Sequence, residues 1–169
     1  MNNIIIISNF LTPQETQLYL DQAIEDPLLQ EEMDLGDSKF SRSTWKNKQL
    51  AQKLYPKLIP HLPKLENHHL IKNLSPRWYI NRYLPGGFFY QHVDGTASYD
   101  NQKSLYTFII YLNDDFDQGE TLFYNKQDQI IKRIKPQAGL AIIFPQNILH
   151  SGNKVLNGSK YIMRSDLMI

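Results

Sequence analysis

The sequence predicts an α+β domain: an all-β core of the sandwich, jelly-roll or barrel type, with two helices packed in front of it. Three observations predict it. From Ser75 onward, short runs of β-branched and aromatic residues recur at regular intervals, separated by Gly-, Pro-, Asn- and Asp-rich turns. Before Ser75, two stretches show helical spacing of apolar residues. The composition is rich in ring residues suited to strands, with 10 Tyr and 8 Phe among 169 residues.

Taken in order, Ile4 to Ile7 read as a short buried first strand. In LTPQETQLYLDQAIED, Thr12 is a good N-cap, Pro13 suits the first helical position and Glu15 completes a capping box. Leu18, Leu20 and Ile24 supply the apolar stripe of a helix from about Pro13 to Glu25. Residues 30–46, QEEMDLGDSKFSRSTWK, are polar and read as loop with short strands. Leu50, Leu54 and Leu58 predict a second helix from about Lys48 to Ile59, which Pro56 should kink or shorten. HLPKLENHH is a connector. The strand runs that follow are RWYINRYL, FFYQHVD, SLYTFIIYLN, TLFYN, QIIKRIKP, LAIIFP and SKYIMRSDLMI, seven or eight strands in all. No repeat, low-complexity tract or linker interrupts them. The chain therefore reads as one domain over 1–169, with a helical buttress to about residue 74 and the β-core over about 75–169.

Composition excludes several function classes. With 18 Lys plus Arg against 17 Asp plus Glu, there is no bulk charge to draw in nucleic acid or an anionic membrane. Cysteine is absent, which removes disulfides and thiolate metal sites and suits a reducing, cytoplasmic setting. No run approaches the roughly 18 apolar residues of a membrane span, and MNNIIIISNF lacks the basic flank of a signal peptide. Oligomeric state is open.

The chemistry concentrates at FFYQHVDG. His92 and Asp94 are two apart in a strand, so they point to one face. His61, His68 and His69 lie in the polar connector, whereas His150 follows the strand LAIIFP. Two His and one carboxylate on one face of a metal form a facial triad that leaves coordination positions open, and this donor set suits Fe(II). The ligand types alone also admit Zn, Mn, Co or Ni. An H-x-D pair by itself is weak evidence for a metal, since a turn aspartate beside a hydrogen-bonded core histidine is the commoner reading of that spacing.

The surroundings narrow this. YLPGG before the H-x-D, Tyr111-Leu112-Asn113 at a strand end, Gln118-Gly119-Glu120-Thr121, Pro136 to Gly139, His150, and Gly158-Ser159-Lys160-Tyr161 follow one another in order. Together they resemble the 2-oxoglutarate- and iron-dependent oxygenases of the prolyl-hydroxylase-like group, over more than half the chain from about Arg77. The departures are Gln118 where the family turn usually has Gly, and Phe89 where it often has Tyr. The resemblance implies a double-stranded β-helix, a jelly-roll variant, with His92, Asp94 and His150 facing the barrel interior as metal ligands and catalytic centre. It implies Fe(II), 2-oxoglutarate and O2, with ascorbate as a candidate further cofactor. The implied reaction is hydroxylation of an amino-acid residue, peptidyl proline among them, or of a small molecule, with succinate and CO2 as co-products.

For the far carboxylate of 2-oxoglutarate, Lys160 is the best family match, and Arg164 on the same strand face is the alternative. Tyr111 and Thr107, which share a strand face with Ile109, and Tyr83 are further cofactor-binding candidates, although each tyrosine also reads as a core aromatic with a satisfied hydroxyl. Arg42 resembles a substrate-side family residue only loosely, and a solvated surface arginine is the preferred reading. Arg77 and Arg82 fit either a substrate mouth or solvent. Gly95 to Ser104 and residues 31–46 are the natural lids. A non-enzymatic cupin-like binder and a nucleic-acid demethylase of the same superfamily are the competing readings. The paired triad and clamp argue against the first, and the neutral charge against the second.

Overall fold

The computed structural model describes residues 4–169, so the first three residues of the single-domain expectation lie outside it. The strands and helices in chain order are β1 (Ile5–Ile7), α1 (Pro13–Glu25), β2 (Met33–Asp34), β3 (Ser38–Lys46), α2 (Lys48–Leu58), β4 (Asn73–Leu74), β5 (Arg77–Tyr83), β6 (Phe88–His92), β7 (Ser98–Tyr99), β8 (Gln102–Tyr111), β9 (Thr121–Tyr124), β10 (Ile130–Ile134), β11 (Ala141–Pro145), β12 (His150–Gly152) and β13 (Lys160–Met168). Three single 3-10 segments fill parts of the connections.

Every strand pairing is antiparallel, in the order β1-β11-β8-β13-β5-β3-β6-β12-β9-β10. β3 is the corner. Its residues Ser41 to Lys46 pair with β5, while Ser38 and Lys39 pair with β6. The sheet thus curls back on itself as a double-stranded β-helix, the expected jelly-roll. Strands such as β8 and β13 are buried on both faces. Phe108, Ile110, Met163 and Leu167 face the helices with Leu54, Leu58 and Trp78. Tyr111, Ile109 and Ile162 face the barrel interior with Phe123, Phe144 and Tyr83.

α1 has the expected bounds, and its capping box is formed: Thr12 Oγ accepts from the Glu15 N–H at 3.1 Å, and Glu15 accepts from the Thr12 N–H at 3.0 Å. The buried face differs from the expected stripe. Thr16, Tyr19 and Ala23 are buried, whereas Leu18 and Ile24 are about half exposed. The i, i+3, i+4, i+7 spacing of 16, 19, 20 and 23 selects this face, and the small Ala23 lets the helix approach the sheet. Glu15 also joins the helices, with Lys57 at 2.9 Å and Lys53 at 3.0 Å. The Lys57 contact foremost holds its carboxyl at about 2. Glu15→Ala is expected to remove about 1 kcal/mol of stability at neutral pH. The folded value lies below the ordinary 4.5, so this contribution is present above 4.5 and lost as pH falls towards 2. Urea curves of the two proteins should converge across that window.

α2 ends at Leu58, two residues beyond Pro56, and Ile59 begins a 3-10 segment. The larger departure is at 30–46. A nine-residue strand runs through SKFSRSTWK, because Ser38, Ser41 and Ser43 are buried together with Phe40. Serines carry little apolar signal, so the strand periodicity is hidden. β1 and β3 therefore join the sheet, and the division near residue 74 does not separate helices from β-core. β7 and β12 were not among the expected strands either: β7 hairpins with β8 inside the Gly95–Ser104 segment, and β12 lies in what read as a turn.

At the turn after β8, Gln118 has φ 63° and Gly119 φ 71°. A Cβ at Gly119 would lie 3.0 Å from the Phe116 ring and 3.1 Å from Val155. Gln118 holds a left-handed conformation that disfavours side chains. Gln118→Gly is expected to gain up to about 1 kcal/mol in denaturant unfolding, the strain relief exceeding the flexibility cost of glycine.

Candidate active site

β12 lies between β6 and β9, and its register places His150 directly opposite His92. Opposed residues of an antiparallel pair have Cβ atoms roughly 4.5–5.5 Å apart, so strand pairing alone brings the two imidazoles together. β6 ends at His92, and Asp94 lies just past it rather than within the strand. Its N–H donates to the Gln146 carbonyl at 2.9 Å, which fixes the carboxylate beside the two rings.

Both imidazoles are held the same way. His92 Nδ1 lies 2.8 Å from the Tyr90 carbonyl, and His150 Nδ1 lies 2.9 Å from the Ile148 carbonyl. A carbonyl only accepts, so each Nδ1 carries the proton and each Nε2 presents a lone pair. The Nε2 atoms lie 3.6 Å and 3.7 Å from the two Asp94 oxygens, too long for hydrogen bonds. Two atoms each about 2.1 Å from one ion are roughly 3.0–3.6 Å apart at angles of about 90–120°. The three residues offer ligand atoms all within 4.8 Å of one another. This donor set fits a divalent iron held by two imidazoles and a carboxylate.

The electrostatics agree. Burial pushes His150 down to about 4, so its imidazole is neutral and able to ligate near pH 7. Burial opposes ionisation of Asp94, but His92, Arg164, His150 and Thr107 outweigh it and hold the carboxyl well below its usual range. Thr107 donates to Asp94 Oδ2 at 2.5 Å, and Arg164 lies 3.3 Å from Oδ1. Thr107, expected at the cofactor, instead positions the carboxylate.

The barrel face of β13 carries Lys160, Ile162 and Arg164, opposite Tyr83, Asn81 and Tyr79 of β5. Lys160 and Arg164 differ in their surroundings. Arg164 contacts two carboxylates, Asp94 and Asp166, the latter at 3.2 Å. Lys160 is buried, its Nζ donates to the Gly119 carbonyl at 2.6 Å, and no carboxylate of the described residues lies within 4.0 Å. The rings of Tyr83 and Tyr111 lie 5.1 and 5.7 Å from that Nζ. Tyr111 is itself buried with its hydroxyl 2.6 Å from Thr121.

Arg42 is not the solvated surface arginine expected. It stands opposite Asn81 and lines the cleft with Lys160, Arg164 and the three candidate ligands. Its Nε donates to Asn81 Oδ1 at 2.9 Å, and Asn81 Nδ2 donates to the Tyr83 hydroxyl at 3.0 Å. Arginine can only donate, so the amide is oriented and the Tyr83 oxygen accepts, leaving the phenol proton available to a ligand. The missed signal is Asn81, a polar residue on one strand face with Tyr79 and Tyr83. Arg82 is neither at a substrate mouth nor solvated. It is buried on the other face, near Gln30 and Ser41.

Comparison with known proteins points to one family. The 2OG-Fe(II) oxygenase superfamily model matches residues 78–165. A candidate prolyl 4-hydroxylase of Acanthamoeba polyphaga mimivirus is 31% identical over 103 residues, which are 49% of this chain and 40% of that protein. The match thus spans about two fifths of that relative's length. Among solved structures, the viral collagen prolyl hydroxylase of Paramecium bursaria Chlorella virus 1, in its 2OG complex, aligns with TM-score 0.69 and 22% identity over 98% of this chain and 95% of that one. A Pseudomonas putida prolyl-4-hydroxylase aligns with TM-score 0.74 and 11% identity over 99% and 92%. A Trichoplax adhaerens prolyl hydroxylase, in complex with a hypoxia inducible factor oxygen degradation domain peptide fragment, aligns with TM-score 0.73 and 14% identity over 99% and 84%. At these identities the structural likeness establishes the fold.

Proposed function

The chain belongs to the 2OG-Fe(II) oxygenase superfamily, and from that premise we propose that it is an Fe(II)- and 2-oxoglutarate-dependent hydroxylase acting on a C–H bond of an amino-acid residue or small molecule. Peptidyl proline is one candidate, suggested by the names of the relatives. The observation that carries the reading is the pair of imidazoles with Nδ1 pinned to backbone carbonyls and Nε2 turned to one carboxylate.

His92, Asp94 and His150 would hold the iron. When bound, iron with 2-oxoglutarate and O2 supplies the oxidation: one oxygen atom enters the substrate C–H bond and the other enters succinate, with release of CO2. The residues of the chain supply positioning. Thr107 and Arg164 hold Asp94 ionised and oriented. Lys160, with no carboxylate of the described residues within 4.0 Å, takes the far carboxylate of 2-oxoglutarate, and Tyr83 donates its phenol proton into the cleft. Phe144 and Ile162 keep the barrel interior apolar, which strengthens these charge contacts. Ascorbate as a further cofactor rests on the family resemblance alone, and a cytoplasmic setting on the absence of cysteine from these 169 residues.

The test is spectroscopic. Fe(II) and then 2-oxoglutarate are added without oxygen, and a weak visible charge-transfer band is expected. Admitting air with a panel of proline-containing peptides and free amino acids should then give substrate-dependent succinate. Iron binding with no band on adding 2-oxoglutarate would remove the cosubstrate, and a band without succinate from any panel member would remove the hydroxylase.

A further inference from the structure

The charges around the cleft do not balance, and the imbalance falls on one residue. Three cations face it: Lys160, Arg164 and Arg42. Arg164 is met by Asp94 and Asp166. Under the oxygenase reading, Lys160 is met by the far carboxylate of 2-oxoglutarate, and the other carboxylate is committed to the iron side. A divalent metal and a dianionic cosubstrate cancel one another in total charge, and Asp94 and Asp166 offset two of the three cationic side chains. One positive charge is left, and Arg42 is the cation that no anion meets.

The surroundings of Arg42 make that charge consequential. Its guanidinium carbon lies 4.9 Å from the ring centroid of Phe40, 5.3 Å from Tyr79 and 5.8 Å from Phe89. These rings desolvate the group and hold it in place, and burial weakens its grip on its proton. Among the described residues, no carboxylate lies within 4.0 Å of it, and Nε alone of its nitrogens is hydrogen-bonded, to Asn81. The two terminal nitrogens form the fork that fits a carboxylate bidentately. A desolvated cation that lines a binding cleft is stabilised far more by an anion than by a neutral carbonyl.

We propose that Arg42 receives a carboxylate of the substrate, so that the preferred substrate is an acid whose carboxylate lies close to the carbon that is hydroxylated. This rests on the oxygenase reading. It places free or C-terminal amino acids, and acidic side chains, ahead of a neutral residue in mid-chain.

The anaerobic Fe(II)–2-oxoglutarate complex would be titrated by calorimetry with N-acetyl amino acids and with the corresponding C-terminal amides. Each pair differs only in the carboxylate. For the members that bind, the acid is expected to bind about tenfold or more tighter than its amide. Arg42→Gln should abolish the difference and Arg42→Lys should keep part of it, while circular dichroism and a cooperative urea transition report an intact fold. If Arg42→Gln does not fold, the acid–amide comparison in the native protein decides alone. Equal binding of acid and amide, no saturable binding of any acid, or discrimination that persists in folded Arg42→Gln would overturn the proposal while leaving the oxygenase reading intact. Absence of the charge-transfer band in the native protein would sink that reading and this inference with it.

Discussion

Replacing His92 or His150 with Ala is expected to abolish turnover, with the loss in iron affinity exceeding about a hundredfold. Removing an outer partner of a metal ligand typically costs about 10–100-fold, and here a ligand itself is lost. The fold should survive, because the two rings are brought together by the β6–β12 pairing, whose hydrogen bonds are backbone bonds. Iron binding followed by equilibrium dialysis, succinate formation and circular dichroism on the same samples separates loss of the site from loss of the fold. Asp94→Gly should also lose hydroxylation, but it can keep some iron if an exogenous anion fills the space beside Arg164. Normal 2-oxoglutarate turnover in either histidine variant would end the metal assignment.

Lys160→Ala should raise the 2-oxoglutarate requirement by about tenfold to several hundredfold while changing iron affinity little. A charge-assisted bond to a carboxylate contributes roughly 1.5–3 kcal/mol, and leaving the anion unmet costs more. At about 1.4 kcal/mol per tenfold, that range follows. Arg164→Ala is the control. Arg164 contacts Asp94 and Asp166, so its loss should weaken iron binding more than cosubstrate binding. Titration of 2-oxoglutarate against the charge-transfer band, at fixed Fe(II) without oxygen, reads both. A larger cosubstrate defect in Arg164→Ala would move the clamp to Arg164.

The same lysine gives a pH signature. Burial pushes its ammonium from 10.5 down to about 7. The ligand-free protein therefore loses this charge as pH rises through 7, and 2-oxoglutarate affinity should fall with it. Between 7 and 10.5 the unfolded chain holds the proton and the folded chain does not, so stability of the ligand-free protein should rise with pH across that window. Lys160→Met should remove both trends. A native protein with flat 2-oxoglutarate affinity from pH 6 to pH 9 would contradict this account of the lysine.

The sequence by itself determined the parts whose evidence is local. The α1 cap needed only Thr12, Pro13 and Glu15, because a capping box closes within one turn. The β-core after Ser75 followed from short apolar runs and turn residues. The order of H-x-D, distal His and G-S-K-Y carried the likeness to the oxygenases, since those residues recur at readable spacings. Tertiary structure decided what depends on partners distant in the chain. β3 is a strand because its serines are covered by β5, β6 and the elements around them, and no periodicity within SKFSRSTWK announces that. Arg42 enters the cleft only because β3 pairs with β5 in the register that sets it opposite Asn81. The contrast between Lys160 and Arg164 is likewise one of surroundings. Both are cations on one face of one strand, but Asp94 and Asp166 reach Arg164, whereas Lys160 is bonded to a neutral buried carbonyl. Residue type and spacing specify what a side chain can do. Which charge is already met, and which is left for a ligand, is set by side chains that the fold brings together from far along the chain.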